Sequence, residues 1–263
     1  MKNYLTLTVL AVCLSVSTAA SATTIGMFTG GSIGNAATNM DAIIADGGVT
    51  PGDGADSWDG FTDAEFAAMD TATLLANYDT IVMPWYVNSS NDMDWATVIL
   101  PYLNGGGSVL WEDPNNLDDI SASGLGLTTG NIYGSFGEGD ITLVDPFDDD
   151  GAQGFYHIHY SITDASDWDV WSTDVDGGVH GVYKEFDNGG RMVLGVSDNL
   201  YHPSMNSVVD ADHMALAINE LNWLNTGSVT GIPTPTTSVP EPTSLALLGL
   251  GLAGFGFSRK KKA

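Results

Sequence analysis

Cysteine is nearly absent from this 263-residue chain. The single cysteine, Cys13, lies in an N-terminal apolar segment that we expect to be removed from the folded protein. The remaining chain then has no thiol, which excludes disulfide bonds, thiolate metal sites and a cysteine nucleophile. A serine hydrolase is not indicated either, because no G-x-S-x-G sequence occurs.

Basic residues are almost as scarce, with seven Lys and Arg against 33 Asp and Glu. Five of the seven lie at the two ends of the chain, so residues 23–239 keep only Lys184 and Arg191 beside 32 acidic residues, a net charge of −30. Binding to phosphate needs clusters of cations, which excludes nucleic acid and anionic lipid as partners of this region. An acidic surface of this kind suits a solvated extracellular protein, or one that collects divalent cations.

The first 22 residues have the features of a secretory signal peptide. Lys2 is followed by an apolar run from Tyr4 to Val16, and small residues then end in Ala20-Ser21-Ala22. We therefore expect signal peptidase to cleave after Ala22.

The C-terminal residues combine an apolar run with a basic end. Leu245 to Phe257 is apolar and contains four glycines. As a helix it would span about 20 Å, less than the ~30 Å hydrocarbon core of a bilayer. A buried core helix is disfavoured, because each interior glycine costs up to about 1 kcal/mol and no amphipathic face is formed. The pattern favours a short transmembrane helix with a basic stop on the cytoplasmic side. The stop consists of Arg259, Lys260, Lys261 and Lys262.

Val239-Pro240-Glu241-Pro242, the apolar run and the basic end together resemble the PEP-CTERM sorting signal of exosortase substrates. By this resemblance, residues 239–263 form the sorting signal. The resemblance implies export in a Gram-negative bacterium that makes extracellular polysaccharide, and a transient anchor in the inner membrane. It further implies cleavage near the motif by an exosortase-type enzyme, with delivery to the cell surface, outer envelope or extracellular matrix.

The region between the two ends, residues 23–227, has the pattern of an α/β domain. Apolar strands alternate with helices at the spacing of βαβ units, which predicts a parallel sheet covered by helices on both faces. Residues 114–188 break this rhythm and are interpreted as a β-rich insertion. Residues 228–238 form a Pro/Thr-rich linker. The predicted strands are TTIGMFTG, YDTIVMPW, SVLWED, DITLVD, FYHIHYSI, HGVYKEF and GRMVLGVSDN, and the predicted helices are AATNMDAIIADGG, a segment that begins with a capping box at Thr62-Asp63-Ala64-Glu65 and runs towards Asn77, DMDWATVILPYLNGGG and DADHMALAINELNWLNTG. VTPGDGADSWDG is rich in turn residues and is predicted to be a loop.

The order YDTIVMP, helix, YLNGGGSVLW and, much later, GRMVLGVSDN before a helix resembles the class I glutamine amidotransferase-like superfamily. The resemblance implies a flavodoxin-like open, mostly parallel sheet. Enzymes of that superfamily hold a cysteine nucleophile after a central strand. This chain has EDPNN there, so a non-catalytic member is expected. Cofactor binding is not expected, since Gly31, Ile33 and Ala36 occupy the positions at which the GGSIGN turn would need hydroxyl groups to hold a flavin phosphate.

Ligands of open α/β sheets bind outside the carboxyl ends of the strands. Glu112 and Asp113 follow one strand, and His202 follows the last one, so these three are candidate ligand-binding residues for a cation or a sugar hydroxyl. The alternative for the acidic pair is that it caps the next turn.

His157 and His159 point to the same face of one predicted strand, because side chains alternate with a period of two. With Asp164 or another acid they would make a candidate site for a divalent cation. The alternative is that both histidines pack between neighbouring tyrosines. The leading interpretation is a non-enzymatic envelope or matrix protein that binds a polysaccharide, a cation or another surface protein. The alternative is a metal-dependent hydrolase of carbohydrate or amide that uses His157 and His159.

Overall fold

The fold is seen in a computed structural model. It describes residues 24–29, 34–45, 49, 58–84, 94–112, 120–121, 123–136, 141–147, 156–195, 200 and 211–229. The strands are β1 (Ile25–Phe28), β2 (Trp58–Phe61), β3 (Thr80–Met83), β4 (Ser108–Glu112), β5 (Thr128–Phe136), β6 (Ile141–Leu143), β7 (Tyr156–Asp164), β8 (Asp169–Asp174), β9 (Val179–Glu185) and β10 (Arg191–Gly195). The helices are α1 (Gly34–Ala45), α2 (Asp63–Ala67), α3 (Thr71–Asn77), a π-helical turn (Trp95–Ile99) that continues into α4 (Leu100–Asn104), and α5 (Ala211–Thr226).

One half of the sheet is parallel and runs in the order β2-β1-β3-β4-β10. Counted along this half, the order is 2-1-3-4-5, that of flavodoxin-like doubly wound sheets. Every residue of β1, β3 and β4 is buried, as in strands that are covered on both faces. The predicted α/β fold with a parallel core is therefore confirmed.

The helices cover opposite faces of this parallel half. Crossovers between parallel strands are right-handed, and the connection from β1 to β2 runs in the opposite direction along the sheet from those leading to β3 and β4. α1 therefore lies on one face, whereas α3 and α4 lie on the other. α5 contacts α1 as well as β4 and β10, which places it on the α1 face.

The β-rich insertion is part of the same sheet. β9 pairs antiparallel with β10, and the series continues through β7 to β5, while β8 and β6 branch from β9. The predicted strands at β6, β7 and β9 are confirmed, but β5 and β8 were not predicted. The insertion therefore widens the sheet to ten strands, where the sequence pattern suggested a departure from it.

Two local predictions are wrong. The predicted loop VTPGDGADSWDG extends to Gly60, but Trp58–Phe61 forms β2, a parallel edge strand anchored by Phe61, whose ring centre lies 4.8 Å from that of Phe28. The helix from Thr62 is also not continuous. Thr62 caps α2 as predicted, but Asp70 accepts a hydrogen bond from Thr73 N (2.8 Å) and begins a second helix.

The backbone at the end of α4 packs in close contact with the backbone of the turn before β10. A Cβ atom on Gly190 would overlap the carbonyl oxygen of Leu103 at the end of α4. The neighbouring Gly189 has a φ of +83° with nothing within 4 Å of its Cβ position. Gly190 is therefore required by packing, whereas Gly189 is favoured only by its backbone conformation.

The hairpin between β8 and β9 is built around one buried carboxylate. Asp174 Oδ1 accepts hydrogen bonds from Asp176 N (2.9 Å) and Gly178 N (2.7 Å), and Oδ2 lies 2.8 Å from His180 Nε2. Burial by itself would raise the pKa of Asp174, but the bonds from His180 and the two backbone amides outweigh it and lower the pKa. One acid of the Asp174 to Asp176 run is thus used to shape the turn.

Substituting the two glycines should separate packing from conformation. Gly190→Ala should lower the free energy of unfolding by about 3 kcal/mol or more, because backbone atoms of α4 must move. Gly189→Ala should cost only about 1–2 kcal/mol, the penalty for a left-handed residue with a side chain. Urea denaturation of both variants measures the difference. Equal losses would mean that the contact between Gly190 and Leu103 is not tight.

The lowered pKa of Asp174 predicts a pH-dependent contribution to stability. A depressed carboxyl pKa stabilises the fold above the unfolded value, near pH 4, and this contribution is lost as the pH falls through the folded pKa. Asp174→Asn should therefore cost about 1–2 kcal/mol between pH 5 and 7, and progressively less below pH 4. Asp176→Asn makes the same change of charge in the same exposed turn and serves as the control. A penalty for Asp174→Asn that stays constant down to pH 3 would contradict the prediction.

Candidate functional site

The carboxyl ends of the parallel strands lie along one edge of the sheet, where ligands of such folds bind. β1, β3, β4 and β10 end there at Phe28, Met83, Glu112 and Gly195. The segments that follow these strands, including Asp113 and His202, lie outside the described residues. Glu112 is the one strand-end candidate whose surroundings are described.

Glu112 is fully buried and is bonded to the backbone of a distant segment. Both of its carboxylate oxygens lie 3.2 Å from Leu200 N. Asn39 on α1 donates from Nδ2 to the carbonyl oxygen of the same Leu200 (2.6 Å). Residue 200, which follows β10, is therefore held by a side chain of β4 and a side chain of α1. Glu112 thus fastens the chain between β10 and α5 to the end of β4, whereas the turn directly after Glu112, which the alternative would have it cap, lies outside the described residues.

A second buried acid, Glu220 on α5, lies on the same side of the sheet. Gly195 is the register partner of Glu112, and a Cβ on Gly195 would be 3.4 Å from Glu220 Oε1. Register partners in a parallel pair direct their side chains to the same face. Sequence reasoning missed Glu220, because an acid on an amphipathic helix is expected on its solvent face. The residue is nevertheless fully buried within INELNWL, next to the buried Asn219 and Asn222.

The candidate metal residues share β7 but are not all brought together. His157 and His159 belong to the strand, and their side chains lie outside the described residues. Asp164 is exposed and accepts a hydrogen bond from Ser166 N (3.1 Å). It lies five positions along the strand from His159, a distance of about 16 Å. This spacing is too long for Asp164 to share a metal ion with the histidines along the strand. Within the described part of the chain, no three His, Cys, Asp or Glu side chains are arranged to hold a metal.

The two cations of the domain lie at the opposite edge of the sheet, near the amino ends of the parallel strands. Arg191 donates from Nε to Glu185 (3.2 Å) and from Nη1 to the Leu224 carbonyl oxygen (3.2 Å) at the end of α5. Beside it is a polar cavity of about 250 Å³, which Thr80 and Asn225 also line. Arg191 therefore links the C-terminal end of α5 to the start of β10.

Lys184 has different surroundings. Its Nζ lies 5.6 Å from the centre of the Trp168 ring and 5.7 Å from that of Phe186. It borders a cleft of about 380 Å³. We call this the Lys184 cleft; its lining residues are Leu100, Asn104, Gly124, Leu125, Trp168, Lys184, Glu185, Phe186 and Asp187. The sequence pattern gave no indication of this cleft, because its residues come from four separate segments.

None of the helices in the described part of the chain has the length and apolar character needed to cross a bilayer. Leu245–Phe257, residues 1–22 and the motif at Val239–Pro242 lie outside the described residues. The membrane helix, its basic stop at 259–262 and the signal cleavage after Ala22 stay predictions.

Three solved structures show similarity to the fold at 10–11% identity. An α-L-fucosidase isoenzyme 2 from Paenibacillus thiaminolyticus has a TM-score of 0.50 and 10% identity, over 78% of this chain and 33% of its own. A glutamine amidotransferase from Thermotoga maritima has a TM-score of 0.43 and 11% identity, over 66% and 74% of the two chains. A ThuA-like protein from Bacteroides uniformis has 0.46 and 11%, over 81% and 94%. This chain thus spans about a third of the fucosidase, and similarity at such low identity concerns the fold alone.

No curated protein matches the sequence. The family described as the PEP-CTERM protein-sorting motif matches residues 238–260. This match confirms the sorting motif that was predicted from Val239-Pro240-Glu241-Pro242, the apolar run and the basic end. The chain therefore carries the C-terminal motif of an exosortase-sorted, exported protein of Gram-negative bacteria, behind an α/β domain whose structural neighbours include amidotransferase-like and ThuA-like folds.

Proposed function

We propose that this protein is a component of the cell surface or extracellular matrix that an exosortase releases from its membrane anchor, and that its α/β domain binds a polysaccharide without catalysing a reaction. The observation that carries the proposal is the sorting motif at residues 238–260. A signal of this kind directs a protein to the outside of the cell, where polysaccharide is the abundant ligand. The net charge of −30 on residues 23–239 keeps such a domain soluble there.

The strand end at Glu112 supports a binding role more than a catalytic one. Amidotransferase-like enzymes hold their nucleophile after this central strand, and this chain has neither a thiol nor a G-x-S-x-G turn there. The carboxylate of Glu112 bonds the backbone of Leu200 instead. An acid that carries a backbone contact of this kind cannot be moved into a reaction without loosening the connection to α5.

Processing of the tail tests the sorting half of the proposal. In a host with an exosortase, mass spectrometry of the surface protein should find a C-terminus near Pro240-Glu241-Pro242 and no peptide from 259–263. Replacing Pro240, Glu241 and Pro242 by Ala should leave the full tail in the membrane fraction. The matched control, Pro233→Ala with Pro235→Ala, alters two prolines of the spacer outside the motif and should be processed normally. Recovery of SRKKKA in the mature surface protein would refute exosortase processing.

Polysaccharide binding and catalysis are separated by a second experiment. The full-length protein, purified in mild detergent, should co-sediment saturably with the extracellular polysaccharide of its host and release no new reducing ends. His157→Ala combined with His159→Ala should leave this binding within about twofold, because binding as proposed does not use a metal on β7. Release of reducing ends that the double variant abolishes, together with a stoichiometric metal in the wild type only, would establish the hydrolase and overturn the proposal.

A further inference from the structure

The Lys184 cleft lies where the β-rich insertion meets the parallel half of the sheet. Asn104 contributes the end of α4, Trp168 the start of β8, and Lys184 with Asp187 the end of β9. Its volume of about 380 Å³ falls within the 300–1,000 Å³ that is typical of sites for small molecules. The cleft therefore has the size for a sugar unit, and it combines aromatic, cationic, amide and carboxylate groups.

The ammonium group of Lys184 has no carboxylate within 4.0 Å among the described residues. This is unexpected in a domain where 32 acids surround two cations. The other cation, Arg191, is engaged by Glu185 and by the carbonyl oxygen of Leu224. The fold thus uses one cation for its own structure, whereas the other forms no ion pair with an acid of the described residues, although Glu185 and Asp187 line the same cleft.

Packing alone does not account for Lys184. Its contacts with the Trp168 and Phe186 rings contribute about 0.5–1 kcal/mol at a partly exposed site. An uncharged methionine would make comparable contacts with the two rings through its thioether. The positive charge of Lys184 is therefore not required for this packing, and no carboxylate of the described residues pairs with it.

We propose that the Lys184 cleft binds a sugar unit that carries a carboxylate, such as a uronic acid residue; this assignment rests on the proposed polysaccharide-binding function. The ammonium of Lys184 donates a charge-assisted hydrogen bond to the sugar carboxylate. The exposed Asn104 amide and the exposed Asp187 carboxylate bind its hydroxyl groups. The half-buried Phe186 ring covers part of its apolar C–H surface.

The charge of the domain also selects among anionic sugars. Glu185 and Asp187 line the same cleft, and the whole domain carries a net charge of −30. At 0.1 M salt, charges more than about 10 Å away are largely screened, so a single carboxylate in the cleft meets mainly the charges of the cleft itself, whereas a densely charged polyanion also meets the acids around it. The site therefore suits polysaccharides in which acidic units are spaced among neutral ones.

The test uses two ligands that differ at one carbon, methyl β-D-glucuronide and methyl β-D-glucoside. Saturation-transfer NMR titration of the full-length protein at 0.15 M NaCl should give at least about tenfold tighter binding of the glucuronide, the effect of one charge-assisted hydrogen bond. Lys184→Met should remove this preference. Lys184→Arg should keep it within about threefold, because the charge stays in place.

A matched control distinguishes an effect of the cleft from an effect of the net charge of the domain. Ala72→Glu makes the domain more negative by the same one charge as Lys184→Met, at an exposed position of α3, and should leave the preference unchanged. Equal affinities of the wild type for the two glycosides, or a preference that Lys184→Met retains, would overturn the assignment. If Lys184→Met still binds the polysaccharide of the host as the wild type does, the assignment fails and the binding function stands. If the wild type binds neither that polysaccharide nor the glycosides, both fail.

Discussion

The fold depends on carboxylates that are satisfied by backbone amides. A domain with 32 acids and two cations cannot pair its acids with basic side chains, so hydrogen bonds from N–H groups take the place of salt bridges. Backbone bonds to Thr62 and Thr73 lower the pKa values of Glu65 and Asp70, and bonds to Thr97 lower that of Asp94. Carboxylates also accept backbone hydrogen bonds at the fully buried Glu112 and at Asp174 in the hairpin between β8 and β9.

These hydrogen bonds from backbone N–H groups to carboxylates determine where the chain can turn. An N–H group that points at a side-chain oxygen is found at the start of a helix or in a tight turn, where the backbone has donors that no strand or helix uses. Acids therefore begin α3 and the π-helical turn, and Asp174 closes the hairpin between β8 and β9. Glu112 extends the principle across 88 residues, because it joins the end of β4 to Leu200. Repulsion among so many carboxylates would destabilise a compact domain. The carboxylates that accept hydrogen bonds from backbone N–H groups instead stabilise individual turns and helix starts.

The sequence predicted those parts of the fold that depend on a local pattern. Short apolar strands, the capping box at Thr62 and the parallel order were accessible, because burial on both faces gives continuous apolar runs. β2 was not, because WDGF is stabilised by Phe61 packing on a distant ring and not by its own composition. Glu220 and the Lys184 cleft were missed for a related reason. Their surroundings form only when β9 pairs with β10 and α5 packs on the sheet. Neither of these contacts produces a residue spacing that can be recognised in the sequence.

The scarcity of cations also connects the domain to its tail. Residues 259–262 carry four of the seven basic residues of the chain. If these stayed beside the domain, they would be the strongest partners for its acidic surface and would compete with any external ligand. In the pathway that we propose, a basic stop on the cytoplasmic side would hold them across the membrane from the domain, and cleavage at the sorting motif would remove them altogether. In the processed protein that we propose, Arg191 is occupied by the fold. Recognition of a negative group then falls to Lys184 alone.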